Sequence, residues 1–414
     1  MSKISIYSEI DTLEGVILHP PGPEVENMTP KNAERALYSD ILNLSVAQKE
    51  YNQLECTLQH LTHTYRVEDL LSDILRAHEV KEKIVKKTCY REKHTDLVDR
   101  LLDAEPKKLS KLLIEGVAMD KTTLTNFLSD ENFALRPLHN FFFTRDSAIA
   151  VHDRILLGKM ANRVRERESL IMEAIFNYHP QLRAQTIVAD DLDISGNRIH
   201  IEGGDVLVAR EDILLIGIGS RTSTQGVDFI MNQILQEKIS FHIIVQELPE
   251  HPESFIHLDM AFTLLDHDAC MVYEPLILQP NKYATVHIEI DGGKVKRIRT
   301  VDNIPTILSK LGMDLKPSFC GGEKDSTVQE REQWHSGANF FAVGPGKVLG
   351  YNRNTHTLNS LNKNGFEILK AKDMLAGKFK LEDYQKYVLT IDGSELARGG
   401  GGARCMTMPF KRSR

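Results

Sequence analysis

The sequence predicts an α/β protein assembled from a repeated unit of two short strands, a helix and a further strand, with a helical segment inserted near its start. Two observations carry this. A strand pair that ends in a polar, Arg- or Asn-bearing connection before a helix recurs around residues 147–176, 198–247 and 338–365. Glycine, by contrast, is absent between Gly22 and Gly116, and apolar residues there fall at helical spacing. Degenerate repetition of one supersecondary unit points to a radial or stacked arrangement.

Taken in order along the chain, Thr29 followed by Pro30 reads as an N-cap with proline at the first helical position. Leu54, Leu58 and Leu61 fall at i, i+4, i+7, and Leu109, Leu112 and Leu113 at i, i+3, i+4, each set giving one helical face. About residues 67–128 read as a compact, all-helical, highly charged subdomain, with Pro106 between two of its helices. From about Asn140 the texture becomes β-rich. Strands are expected near Asp205–Val208 and Ile213–Ile218, then a helix whose apolar residues Val227, Ile230, Met231, Ile234 and Leu235 form a single face, then a strand from Phe241 to Val245. The stretch Glu289–Ile298 reads as a hairpin turning at Asp291–Gly293.

Composition bounds the function. The 414 residues are 41% hydrophobic and 26% charged, with a net charge of −7, an ordinary globular balance that offers no general affinity for polyphosphate or nucleic acid. The opening residues, MSKISIYSEI, hold no apolar stretch like that of a secretory leader. No apolar run approaches the ~20 residues of a membrane span. The five cysteines are widely spaced, with no CxxC pair. This predicts a reducing, cytoplasmic setting and no cysteine-built zinc site.

Four polar clusters stand at strand ends or in connections: NFFFTRD (Asn140–Asp146), HIEGGD (His200–Asp205), HLD (His257–Asp259) and GGARC (Gly401–Cys405). A lone cysteine is commonly a small buried hydrophobe. Cys405, however, follows a run of four glycines and an arginine, and an electropositive, glycine-lined loop favours a reactive thiolate. A thiol nucleophile needs an imidazole to move protons. Among 16 histidines, His257 is singled out because Asp259 follows it by two residues, which on a strand would turn both to one cavity. Glu202, before a Gly-Gly turn, is placed to orient that imidazole. Asp146 lies beside the aromatic wall Phe141–Phe143. With one carboxylate orienting the histidine, two acids remain, which suits a planar cationic substrate: a guanidinium offers five N–H donors to a pair of carboxylates.

At this point the sequence resembles the arginine deiminases of the guanidino-group-modifying enzyme superfamily. The resemblance runs over nearly the whole chain, through VILHPPGPEVENMTP, FFFTRD, ANRVRERES, HIEGGD, GSRTSTQG, HLD, REQWHSGAN, GYNRN and ARCMTMP. It implies a pentein fold, a five-bladed α/β propeller of ββαβ modules with pseudo-fivefold symmetry, carrying an inserted helical bundle. Residues 1–66 would form the first module, 67–128 the bundle and 129–414 the remaining modules. By matched position, Cys405 would be the nucleophile, His257 the general acid/base, Glu202 its partner, and Asp146 and Asp259 the guanidinium carboxylates. Asn140, Arg165 and Arg221 would hold the substrate's carboxylate end, with Phe143 on its stem. The implied reaction is hydrolysis of L-arginine to L-citrulline and ammonia through a covalent thiouronium, with no metal or organic cofactor and no nucleic-acid or membrane partner, in a homo-oligomer, a dimer or tetramer. Related hydrolases act on agmatine or methylated arginine, and a silent homologue is the other alternative; Arg165 and Arg221 argue against agmatine, which has no carboxylate. Two departures stand out. Many members of that family carry an arginine where this chain has Gly400, and many read HRPG where it has His19-Pro20-Pro21-Gly22.

Overall fold

The computed structural model describes residues 3–29, 37–38, 40–189 and 199–414; the helix start read at Thr29–Pro30 runs outside them. Among the described residues, five sheets repeat one plan: an antiparallel strand pair, one strand of which is joined by a parallel third strand across a helix. Parallel neighbours need such a crossover, which is why strand pairs and helices alternate in the sequence. The first unit is closed by both chain ends. Thr12–Leu18 pairs antiparallel with the C-terminal Met408–Ser413 and parallel with His63–Arg66, across the helix Leu44–Leu61. The second pairs Ala148–Val151 with Arg154–Leu157 and adds Gln185–Ile187 after the helix Glu166–Tyr178.

In the third unit, Val206–Arg210 and Ile213–Ile218 are joined by Phe241–Glu247 after the helix Thr224–Glu237. The hairpin Thr285–Asp291/Lys294–Val301 extends this sheet, although it lies within the crossover of the next unit. That fourth unit pairs Phe262–Asp266 with Ala269–Val272 and adds Lys316–Phe319. The fifth pairs Phe341–Gly344 with Lys347–Tyr351, adds Tyr387–Ile391 after the helix Thr355–Lys363, and carries Glu367–Lys370 at its edge.

The segment read as all-helical holds the helices Val67–Ile74, His78–Glu92, Val98–Leu102, Pro106–Glu115 and Leu124–Leu128. Pro106 opens its helix at the first position, where its missing N–H costs nothing. The segment also contains a two-residue strand, Val117–Ala118, paired with Phe133–Leu135, so the all-helical expectation fails there. Its helices do not form a separate core. Leu70, Leu71, Ile84 and Leu113 pack in one apolar cluster with Ile149, Ile171, Ile216 and Phe410. A second cluster holds the third to fifth units around Leu215, Phe262, Cys270 and Val348. A third, around Leu54, Phe142, Phe341 and Leu389, includes Cys405 and Met406.

Candidate active site

The chain's return to its first strand sets the position of Cys405, which lies three residues before Met408–Ser413 and is only 2% exposed. The glycines before it pass close to side chains. A Cβ on Gly401 would sit 2.4 Å from the Phe143 ring and 3.0 Å from the Cys405 Cβ, and one on Gly402 would sit 2.6 Å from Asn339 Oδ1. Contacts this short admit no side chain at either position, so Gly401 and Gly402 are a packed passage rather than a flexible tail. Tyr351 donates from its hydroxyl to the Gly401 carbonyl at 2.9 Å, and the Arg145 N–H donates to the Cys405 carbonyl at 3.1 Å.

His257 and Asp259 lie on a 3₁₀ turn and not, as their spacing suggested, on a strand. Residues Leu258–Met260 form the turn, with His257 extended before it. The cause is a tertiary contact: Asp205 Oδ1 accepts the Leu258 N–H at 2.9 Å and holds the turn's start. The two side chains consequently do separate jobs. His257 Nε2 meets Glu202 Oε2 at 2.9 Å, while its Nδ1 faces Asp146 Oδ1 at 3.7 Å. Glu202 Oε1 also accepts the Ala161 N–H at 3.1 Å. Burial opposes the imidazolium, but Asp146, the Glu202 hydrogen bond and Asp205 overcome it and raise the His257 pKa to about 9. Burial opposes the Glu202 carboxylate too, yet the His257 hydrogen bond and the Arg221 and Arg165 charges bring it down to about 2. The pair therefore stands as imidazolium and carboxylate.

Asp259 lies on the other side, its carboxylate oxygens 3.7 and 3.9 Å from the Cys405 sulfur. Burial, Asp259 and Asp146 push the thiol well above its ordinary pKa, against the smaller pull of the Gly402 N–H and Arg404. The electropositive loop read from the sequence is thus corrected by the structure. Arg404 turns its buried guanidinium away from the sulfur, onto Asp259 Oδ2 at 2.8 Å and both oxygens of Glu9 at 2.9 and 3.1 Å.

Arg165 is buried as well, in the 3₁₀ turn Arg163–Arg165 before the helix Glu166–Tyr178. Its Nη1 donates to Asp146 Oδ2 at 2.7 Å and its Nη2 to Glu168 Oε2 at 2.8 Å. Its Nη2 also reaches the Asn140 and Phe143 carbonyls at 3.4 and 3.5 Å. Arg221 stands further out, with Nη1 3.7 Å from Glu202 Oε1. It lines a cleft of about 660 Å³ together with Asn162, Ser220, Trp334 and Gly400. Asp146, Glu202 and His257 each present a ligand atom within 4.8 Å of the others, so the cluster has the reach to hold one cation. All nine residues singled out from the sequence thus fall in one region, each of the five central ones within 4 Å of another of them.

The arginine deiminase family model matches residues 34–412. The chain belongs to the arginine deiminase family. It is similar to the arginine deiminase of Limosilactobacillus fermentum, 32% identical over 99% of both chains, and to that of Borrelia duttonii, 31% identical over 100% of this chain and 98% of the relative. Solved structures with a like fold include the N-terminal domain of ArgZ, a cyanobacterial arginine dihydrolase, at TM-score 0.54 and 13% identity over 97% of this chain and 98% of that one. Another is the inosamine-phosphate amidinotransferase StrB1 of Streptomyces griseus, at TM-score 0.53 and 14% identity over 100% and 98%.

Within this arginine deiminase family member, sequence reasoning missed Glu168 and Asn339, which touch the site, and misjudged the direction of Arg404. Each lies inside a motif that carried the resemblance. Glu168 is in ANRVRERES, Arg404 in ARCMTMP and Asn339 in REQWHSGAN. What was lacking was any signal in the residue type: an asparagine or a second arginine has many surface uses, and only the packed loop gives these their partners.

Proposed function

We propose that this chain hydrolyses L-arginine to L-citrulline and ammonia through a thiouronium on Cys405. The observation that carries the reading is the convergence of Cys405, His257, Glu202, Asp146 and Asp259, from four distant chain segments, into one buried cluster. In this reading the substrate guanidinium lies between Asp146 and Asp259, and its charge offsets the two carboxylates that hold the thiol protonated. Asp146 Oδ1, buried and without a hydrogen-bond partner, is the acceptor that a guanidinium N–H would satisfy.

With that charge in place the Cys405 thiol gives its S–H proton to solvent, and the thiolate attacks the guanidinium carbon, forming the S–C bond as the C=N electron pair moves onto nitrogen. The tetrahedral centre then expels one nitrogen, which takes the proton of the His257 imidazolium and leaves as ammonia. Water next adds to the thiouronium carbon and gives a proton back to His257. The S–C bond breaks, the electron pair returns to sulfur, and the product's hydroxyl proton passes to that sulfur, restoring the thiol and leaving the urea of citrulline. Glu202 orients the imidazole throughout and favours its charged form before the ammonia departs and after the water adds. Arg221, at the cleft, and Arg165, after leaving Asp146, bind the substrate carboxylate, with Asn140 beside them and Phe143 along the stem. The five repeated units support a radial, five-bladed arrangement with pseudo-fivefold symmetry about this cluster, and the limits 1–66, 67–128 and 129–414 remain our division of it.

Formation of the ureido product, citrulline from arginine or dimethylarginine and the carbamoyl derivative of putrescine from agmatine, tests the substrate. Cys405→Ala is expected to abolish turnover while arginine binding stays within about tenfold, roughly 1.4 kcal/mol. Turnover retained by that variant overturns the nucleophile.

A further inference from the structure

Asn339 has no place in the scheme above, yet its carboxamide is wedged against the nucleophile. Its Oδ1 accepts two backbone N–H groups, those of Arg404 at 2.9 Å and Cys405 at 3.3 Å. An amide nitrogen cannot accept, so these two donors fix which end of the group is which. Nδ2 is thereby turned the other way, donating to the Asp259 carbonyl at 3.2 Å and to the Cys405 sulfur at 3.2 Å. Both ends of the amide are engaged, and the side chain is 1% exposed. Such a group is pre-oriented: its N–H points at the sulfur without reorganisation when charge develops there. Gly402 belongs to the same device, since a Cβ on it would sit 2.6 Å from Asn339 Oδ1 and 2.7 Å from its Cβ.

We propose that Asn339 is a further catalytic residue of this reaction, its Nδ2–H stabilising the Cys405 sulfur as thiolate and aiming it, with Gly402 kept free of a side chain so that the carboxamide can dock. The inference rests on the reading of Cys405 as nucleophile. The need for such a donor follows from the surroundings. Asp259 and Asp146 face the sulfur and oppose its ionisation, while Arg404 favours it only weakly and the buried Tyr351 lies beside the same loop. His257, the nearby cation, faces Asp146 and Glu202. A neutral donor in contact with the sulfur supplies stabilisation that those charges do not, and a hydrogen bond to an ionised partner is about twice as strong as one between neutral groups.

The test is the rate of Cys405 alkylation by iodoacetamide against pH in the unliganded full chain, read on the Cys405 peptide by mass spectrometry, beside kcat and KM for arginine. In Asn339→Ala the alkylation midpoint is expected to move to higher pH, and the rate at neutral pH to fall about ten- to a hundredfold. The kcat should fall in proportion, KM should change little, and raising the pH should restore part of the loss. Gly402→Ala, which leaves the asparagine in place but displaces it, should shift the midpoint the same way by less, and it serves if Asn339→Ala does not fold. A merely structural role lowers the rate equally at every pH. A folded variant of either kind that alkylates with the parent's pH midpoint overturns the proposal. If instead the midpoint shifts while Cys405→Ala still turns arginine over, the nucleophile reading fails and the effect of Asn339 on the thiol stands.

Discussion

Replacing Glu202 by glutamine keeps the shape of the site and removes one charge, which makes its consequence calculable. The His257 pKa stands at about 9 against an ordinary 6.5, and at ~1.4 kcal/mol per unit that is about 3 kcal/mol of preference for the imidazolium. The carboxylates responsible are Asp146, Glu202 and Asp205, with Glu202 acting both through its 2.9 Å hydrogen bond and through its charge. Removing Glu202 therefore lowers the His257 pKa back toward its ordinary value. A glutamine amide can also accept the Ala161 N–H while offering its own N–H to Nε2, an arrangement that favours the neutral ring. The sign is fixed by the raised folded pKa. The imidazolium's contribution to stability is complete below about 6.5 and is lost as pH rises through about 9. In Glu202→Gln that loss comes at lower pH. An NMR titration of the His257 ring in the unliganded protein reads the shift directly. The alkaline limb of kcat/KM for arginine should move down with it, and kcat at neutral pH should fall about a hundredfold or more. A His257 midpoint equal to the parent's would refute the reasoning, because it would mean that the hydrogen bond and charge at Glu202 do not hold the proton.

The neighbouring glycines should behave differently from one another. Gly400 has φ +87° with nothing within 4 Å of a Cβ, so Gly400→Ala should cost about 1–2 kcal/mol of stability from the left-handed backbone alone and leave most activity. Gly401→Ala drives a methyl to 2.4 Å from the Phe143 ring and should cut kcat/KM at least tenfold; parallel assays and thermal melts of the two variants decide it. For the two arginines, Arg221→Ala should narrow the ratio of arginine to agmatine efficiency by about ten- to a hundredfold through loss of a charge-assisted bond. Arg165→Ala should do the same and in addition destabilise the fold, because it strands the buried Asp146 and Glu168 carboxylates. An unchanged ratio in both would remove them from the substrate's carboxylate.

The repeat was legible because alternation of strand pairs and amphipathic helices is a local property, written in period-2 and period-3.6 patterns such as Ile213–Ile218 and Val227–Leu235. The hairpin at Asp291–Gly293 was legible for the same reason. The residue types and motifs also singled out Cys405, His257, Glu202, Asp146 and Asp259, which the fold brings into one cluster. The sequence did not determine how those groups are turned. His257 and Asp259 look like one face of a strand, but the Asp205 carboxylate, more than fifty positions away, winds them into a 3₁₀ turn and sends one to Glu202 and the other to Cys405. Arg404 reads as a positive neighbour of the thiol, but Glu9 at the far end of the chain draws it aside. Asn339 reads as any polar residue until the closing strand brings the 399–405 loop against it. Residue types and their spacing are fixed along the chain. Hydrogen-bond partners and local charge depend on which segments meet, and here the pairing of the last strand with the first, across nearly four hundred residues, decided that.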